Sequence, residues 1–158
     1  MKLQNHLTVV TVLLVLASAA SAQESAFKTG QAVYVVAVKS SKQPDLSTER
    51  KLKDEFEKHK SFKIATSLQS ADFVFLMVVE YEFNQVMFNN TGPGVEDVKR
   101  VEAFAVSPDE YAKHKASLNN LRDKALWQTS ENKRFFRAGD LPKKIVKKFH
   151  ANATPMKR

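Results

Sequence analysis

The sequence predicts a small α/β (or α+β) domain: a single mixed β-sheet of about five strands, with about three helices packed on it. A valine-rich apolar run at 32–39 is typical of a buried strand, and 71–83 is a longer one. Amphipathic segments lie between the strands and after the last of them. The order strand, helix, strand, strand, strand, helix, strand, helix favours a mixed sheet over a purely parallel one.

The amino-terminal segment has the pattern of a secretory signal. Lys2 precedes an apolar stretch at 7–16, and only small residues, alanine and serine, fill 17–22. We expect cleavage after Ala22, which leaves 23–158 as one domain that is exported, either periplasmic or secreted. A retained membrane anchor is the alternative, but a spanning helix needs roughly 20 apolar residues. No later segment is long and apolar enough to span a bilayer.

The first strand and helix follow from apolar spacing. The run at 32–39 has no polar alternation and predicts a central strand covered on both faces. A polar break follows it, and the apolar residues Leu46, Leu52 and Phe56 then recur within one helical arc. We expect a helix over 46–60.

Three strands are expected next. Residues 62–67 alternate in the manner of a strand, and 71–83 starts apolar on both faces and ends with one polar face. A dense turn signal at 89–94 separates that strand from 98–106, which resumes strand character. The simplest interpretation is a long hairpin.

The carboxy-terminal third predicts a helix, a strand and a helix. Ser107 and Pro108 have the spacing of a cap and first helical residue, and the apolar pattern continues to Leu121. A short strand is expected at 125–128 around the only tryptophan. The last helix is expected over 141–150, with lysines on one half and the apolar residues Leu141, Ile145, Val146 and Phe149 on the other.

Three segments characterise this layout: Ser70-Ala71-Asp72-Phe73-Val74-Phe75, Arg122-Asp123-Lys124-Ala125-Leu126-Trp127 and the closing lysine-rich helix. With them, the chain resembles a group of small exported bacterial α/β proteins. More distantly, the layout is similar to the amino-terminal domain of TolB and to curli-secretion accessory domains. The resemblance implies an exported α/β fold and transfers no catalytic residue.

Several classes of site are excluded or disfavoured. The absence of cysteine excludes disulfides, thiol nucleophiles and zinc-thiolate clusters. No Gly-x-Ser-x-Gly motif occurs, and Gly92-Pro93-Gly94 is a turn rather than a phosphate-binding loop, because proline lacks an amide donor. We expect no cofactor, no metal and no catalytic residue that the sequence alone identifies.

Two sets of polar residues are candidate sites of chemistry. Glu80 and Glu82 lie on one face of a strand and could serve as a general acid and base or bind a divalent cation. Pairing with Lys99 and Arg100 across the hairpin is the favoured interpretation.

The histidines on the predicted helices, His59, His114 and His150, have no ligand spacing. A metal site would require the fold to bring them together.

The predicted hairpin tip carries three successive apolar residues, Val86, Met87 and Phe88. Exposed apolar side chains at a tip would mark contact with a partner. Folding of the tip back onto the domain is the alternative, and we favour it.

The carboxy-terminal end carries nearly all of the net charge. From Lys133 onward, nine basic residues face a single acid, Asp140. The candidate residues for binding an anionic surface are Lys133, Arg134, Arg137, Lys143, Lys144, Lys147 and Lys148. The alternative, which we favour for these side chains, is a solvated face without a ligand. Nucleic acid is disfavoured as a partner, because the protein is expected to be exported and the remainder of the chain is about neutral.

The function hypothesis that these observations favour is a non-enzymatic binding or accessory module. It would contact an anionic envelope component or a protein partner through the basic end or the hairpin tip. A small hydrolase-like enzyme, with a site assembled from scattered polar residues, is the second hypothesis.

Overall fold

The computed structural model describes residues 26–84, 95–132 and 140–153. The predicted signal segment and hairpin tip lie outside these ranges. The elements of the described chain are β1 (Ala32–Lys39), α1 (Leu46–His59), β2 (Lys63–Ile64), β3 (Phe73–Asn84), β4 (Val95–Val106), α2 (Pro108–His114), α3 (Leu118–Asp123), β5 (Trp127–Asn132) and α4 (Leu141–Ala153). Among the described residues, no helix combines the length and apolar character needed to cross a membrane.

The strands form one mixed sheet in the order β2-β1-β3-β4-β5. β1 pairs in parallel with β2 and β3, whereas β4 is antiparallel to both β3 and β5. The predicted fold class, including the antiparallel pairing of the two hairpin strands, is confirmed. α1 forms the crossover between the parallel strands β1 and β2, whereas β3 and β4 follow one another in the chain as an antiparallel pair.

One face of the sheet carries the larger core. α1 and α4 pack there, burying Leu52, Phe56 and the apolar half of α4 against inward side chains of β1, β3 and β4. Phe149 lies at the centre, with ring centroids 5.0 Å from Trp127 and 5.2 Å from Phe75. Aromatic rings in such edge-to-face arrangements contribute about 0.5–1.5 kcal/mol beyond the area that they bury.

The opposite face is covered less completely. The short helices α2 and α3 lie on this side, and the buried cluster consists of Val74, Leu76, Val78, Phe104, Val106 and Leu121. Residues Tyr34, Val36 and Val38 of β1 remain half-buried. The expectation that β1 is covered on both faces is therefore correct for the α1 and α4 side and incomplete on the other.

Three predicted boundaries differ from the structure. The single helix expected from Ser107 to Leu121 is two helices, because the Ser117 side chain accepts a hydrogen bond from the Asn120 N–H (3.4 Å) and caps a second one. The strand expected at 62–67 shortens to Lys63–Ile64, where its pairing with β1 ends. β5 begins at Trp127 and runs to Asn132, because pairing with β4 overrides its polar composition.

The β3 and β4 hairpin strands extend past the neighbouring strand. β1 pairs with β3 only as far as Lys39 opposite Val79, whereas β3 and β4 remain paired as far as Asn84 opposite Val95. A register shift after Glu80 marks a bulge at the start of this extension. The hairpin thus projects beyond the parallel part of the sheet.

Candidate functional site

The last helix, α4, presents two chemically distinct halves. Leu141, Ile145, Val146 and Phe149 are at most 4% exposed, because their three- and four-residue spacing keeps them on the side that faces the sheet. The predicted burial of this apolar half is confirmed. Burial fixes the rotation of the helix and so determines where its lysines point.

The four lysines of α4 form two stripes. Lys143 and Lys147 are exposed, whereas Lys144 and Lys148 are half-buried. Lys148 forms an ion pair with Glu131 of β5, whose side chain is 12% exposed. The outward stripe is therefore Lys143 and Lys147, and the inner stripe is Lys144 and Lys148, of which Lys148 contacts β5.

The charge on α4 is not balanced along the helix. It is the one described α-helix that contains no acidic residue. In α1, by contrast, Lys53 pairs with Glu49 (2.7 Å) and Lys58 with Glu55 (2.5 Å). The outward half of α4 is thus a compact cationic surface beside a helix of balanced charge.

The other predicted binding residues lie outside the described ranges. They are Lys133, Arg134 and Arg137, and the hairpin-tip residues Val86, Met87 and Phe88. Their part in binding stays a prediction.

The structure places Glu80 in an ion pair. Its Oε1 lies 2.7 Å from the Lys99 Nζ atom, which is the cross-strand pairing expected from the sequence. Close by on β4, Glu102 forms ion pairs with two guanidinium groups. Its Oε1 lies 2.5 Å from Arg100 Nη2, and its Oε2 lies 2.7 Å from Arg122 Nη2. The arrangement ties β4 to α3 and favours a stabilising role for these carboxylates.

A buried aspartate at the start of α1 is not identifiable as a structural residue from the sequence. Asp45 is 7% exposed and accepts from the Tyr81 hydroxyl (2.6 Å) and from the Thr48 N–H (3.1 Å) and hydroxyl (2.9 Å). Burial alone would raise the pKa of Asp45, but these hydrogen bonds outweigh it, and the pKa lies below its ordinary value. Lys39, whose ammonium lies 5.1 Å from the Tyr81 ring centroid, adds to the lowering.

Of the three histidines considered as metal ligands, the fold brings two together. The rings of His59 and His150 stack with centroids 4.3 Å apart, whereas His114 lies beside Glu110 on α2. Burial, and then the proximity of His59, lowers the pKa of His150 to about 4. Within the described parts of the chain, no cluster of three or more potential metal ligands occurs.

Comparison with known proteins shows likeness in overall shape only. No family model and no curated protein matches the chain. A PelC dodecamer from Paraburkholderia phytofirmans is 13% identical, with 83% of this chain and 93% of that chain covered and a TM-score of 0.45. An uncharacterized lipoprotein B from Nitrosomonas europaea is 14% identical, with 80% and 76% covered and a TM-score of 0.37. A lipoprotein from Neisseria meningitidis is 14% identical, with 77% and 96% covered and a TM-score of 0.36.

Proposed function

We propose that the chain is an exported, non-enzymatic binding module that attaches to an anionic envelope surface through the lysines of α4. The observation that carries this proposal is the division of α4 into a buried apolar half and an outward half whose only charges are positive. The signal-like amino terminus supports export, since its charged, apolar and small-residue segments occur in the required order.

The packing of α4 specifies the kind of contact. An amphipathic helix that lies within a membrane interface must expose its apolar residues to the lipid. Those residues of α4 are enclosed by the sheet, so attachment would rest on the ammonium groups alone. A lysine near an anionic surface contributes about 1 kcal/mol, and salt screens the attraction over a Debye length of about 8 Å at physiological ionic strength.

The basic residues Lys133, Arg134 and Arg137 precede α4 in the chain and would add to the same attraction. A module of this kind would dock weakly and reversibly, and would hold its sheet and hairpin at a defined distance from the surface. This is the role of an accessory protein rather than that of an enzyme.

The proposal is tested with the processed protein from cells that express the full-length chain. The fraction of protein that sediments with vesicles of mixed phosphatidylglycerol and phosphatidylcholine would be compared with the fraction that sediments with vesicles of phosphatidylcholine alone. We expect attachment only to the anionic vesicles, at low salt (about 0.05 M), and release at about 0.5 M. Equal binding to both vesicles, or binding that salt leaves unchanged, would contradict an electrostatic contact.

A further inference from the structure

The ring of His150 lies in an apolar cluster between α1 and α4. The residue is 8% exposed, and its Nε2 atom has no hydrogen-bond partner among the described residues. Its ring centroid is 5.8, 5.2 and 6.2 Å from those of Phe56, Phe62 and Phe149. A neutral imidazole is tolerated in these surroundings, whereas an imidazolium would lose its hydration without gaining an acceptor.

The elements around this cluster provide no counter-ion for a protonated His150. On α1, Glu55 is in an ion pair with a lysine of the same helix, and Asp54 and Glu57 are exposed. At the start of β3, Asp72 accepts a backbone hydrogen bond from β1 (2.6 Å). Every other charged residue within three positions of the clustered rings is basic: Lys53, Lys58, Lys60, Lys63, Lys147 and Lys148. A positive charge on His150 would therefore be unbalanced.

Burial makes His150 sensitive to acid. Burial, and then the proximity of His59, lowers the pKa of His150 to about 4 from 6.5. A His150 side chain that reached water would bind its proton at a higher pH than the buried one does. A fall in pH therefore favours any state of the chain in which His150 has left the cluster.

His150 belongs to the carboxy-terminal half of α4, which packs on the sheet and on α1 through its side chains. The neighbouring Phe149 is fully buried, with its ring centroid 4.9 Å from that of Phe27 and 5.0 Å from that of Trp127. His59 is already exposed, so a change in α4, rather than in α1, would bring His150 into water. Movement of this half of α4 away from the sheet would also uncover Phe149.

From this cluster we propose that acid releases the carboxy-terminal half of α4 from the sheet, so that its apolar side enters a lipid bilayer. The released segment would have apolar residues on one side and lysines on the other, which is the pattern of a helix that lies in a membrane interface. The inference rests on the proposed function, since it takes a membrane as the partner of α4. It adds a second mode of attachment, which acid induces and salt does not reverse.

The test measures binding of the full processed chain to vesicles of phosphatidylcholine alone, at pH 7 and at pH 4, in about 0.5 M salt. Phosphatidylcholine has no net charge and this salt screens the lysines, so a failure of electrostatic attachment would not affect the result. We expect at least tenfold tighter binding at pH 4, with a shift in the Trp127 fluorescence because Trp127 contacts Phe149. Equal affinity at the two pH values would overturn the inference.

Amide exchange followed by NMR distinguishes release of α4 from unfolding of the domain. At pH 4 without vesicles, the amides of residues 145–153 should lose protection, whereas those of β1 and β3 should retain it. Loss of protection throughout the sheet would show that acid unfolds the whole domain, and would equally overturn the inference.

His150→Phe and His114→Gln are the matched variants. Phenylalanine keeps an aromatic ring at position 150 but takes up no proton, so the affinity of this variant should change less than threefold between pH 7 and pH 4. His114 lies on α2, on the other side of the sheet, so His114→Gln should keep the wild-type response. A full acid response in His150→Phe would contradict the role of His150. If that variant does not fold, the amide-exchange pattern of the wild type decides.

Discussion

The imidazole ring of His150 stacks on that of His59, with ring centroids 4.3 Å apart, and so joins the end of α1 to α4. His150 is 8% exposed and also contacts the Phe56 and Phe62 rings, at 5.8 Å and 5.2 Å. Its Nε2 atom is buried without a hydrogen-bond partner among the described residues. A protonated imidazole would be poorly solvated here and would face a second imidazole.

Stability is expected to fall in mild acid because of this site. Burial, and then His59, lowers the pKa of His150 to about 4 from 6.5, so the unfolded chain takes up a proton before the folded chain does. The free energy of unfolding should therefore decrease as the pH falls from about 6.5 to about 4, by about 1–3 kcal/mol. Urea unfolding at intervals across this range measures the effect.

Replacing His150 separates this contribution from other acid effects. The His150→Phe variant should lose much of the decline between pH 6.5 and 4, whereas His114→Gln, on the other side of the sheet, should keep it. An unaltered decline in the His150→Phe variant would show that other groups cause the acid sensitivity.

The hydrogen bond from Tyr81 to Asp45 should stabilise the fold at neutral pH. The Tyr81→Phe variant removes one hydrogen-bond donor from the buried Asp45 carboxylate, which should lower the free energy of unfolding by about 1–3 kcal/mol. Because the pKa of Asp45 is lowered in the folded protein, its stabilisation is present above about pH 4 and is lost as the pH falls further.

The difference between wild type and Tyr81→Phe should thus be large at neutral pH and shrink in acid, as measured by urea unfolding. Tyr34→Phe, a change to a half-buried tyrosine on the opposite face, is the control and should shift stability by less than about 0.5 kcal/mol. A Tyr81→Phe effect that does not vary with pH would contradict the role given to Asp45.

Phe149 should be among the most sensitive core positions. It is fully buried and contacts rings from α1, β3 and β5, so Phe149→Ala is expected to cost about 3–5 kcal/mol in chemical unfolding. Leu126→Ala removes an exposed side chain and should cost less than about 0.5 kcal/mol. Comparable losses for the two substitutions would contradict the packing of α4 on the sheet.

Processing of the amino terminus is open to direct measurement. If the signal is cleaved after Ala22, the intact mass and amino-terminal sequencing of the exported protein should show a chain that begins at Gln23. A product that retains Lys2 would instead indicate a membrane anchor.

The sequence predicts well those elements whose buried apolar residues lie close together in the chain. The valine run of β1 and the four apolar residues of α4 each identify a buried surface within a few residues of chain. Apolar spacing does not predict the break at 115–117, because Leu118 and Leu121 continue the helical spacing across it and only the capping hydroxyl of Ser117 marks the new helix.

Contacts between distant segments were not accessible from the sequence. The stacking of His59 on His150, and the bond from Tyr81 to Asp45, join residues whose proximity depends on the strand order. Strand pairing likewise extends β5 through Gln128 to Asn132, a segment in which only Thr129 has a strong intrinsic strand preference. The division of the α4 lysines into an outer and an inner stripe required the position of Glu131.

The central claim is that the outward stripe of α4 binds an anionic surface, and a pair of charge-reversed variants tests it most directly. Lys143→Glu with Lys147→Glu reverses that stripe and leaves the Lys148 ion pair intact, whereas Arg50→Glu with Lys51→Glu makes the same change in net charge on exposed residues of α1. Affinity for phosphatidylglycerol vesicles at low salt is the quantity to measure. We predict a loss of at least tenfold for the α4 variant and of less than threefold for the α1 variant. Equal losses in the two variants, or wild-type affinity in the α4 variant, would contradict the account.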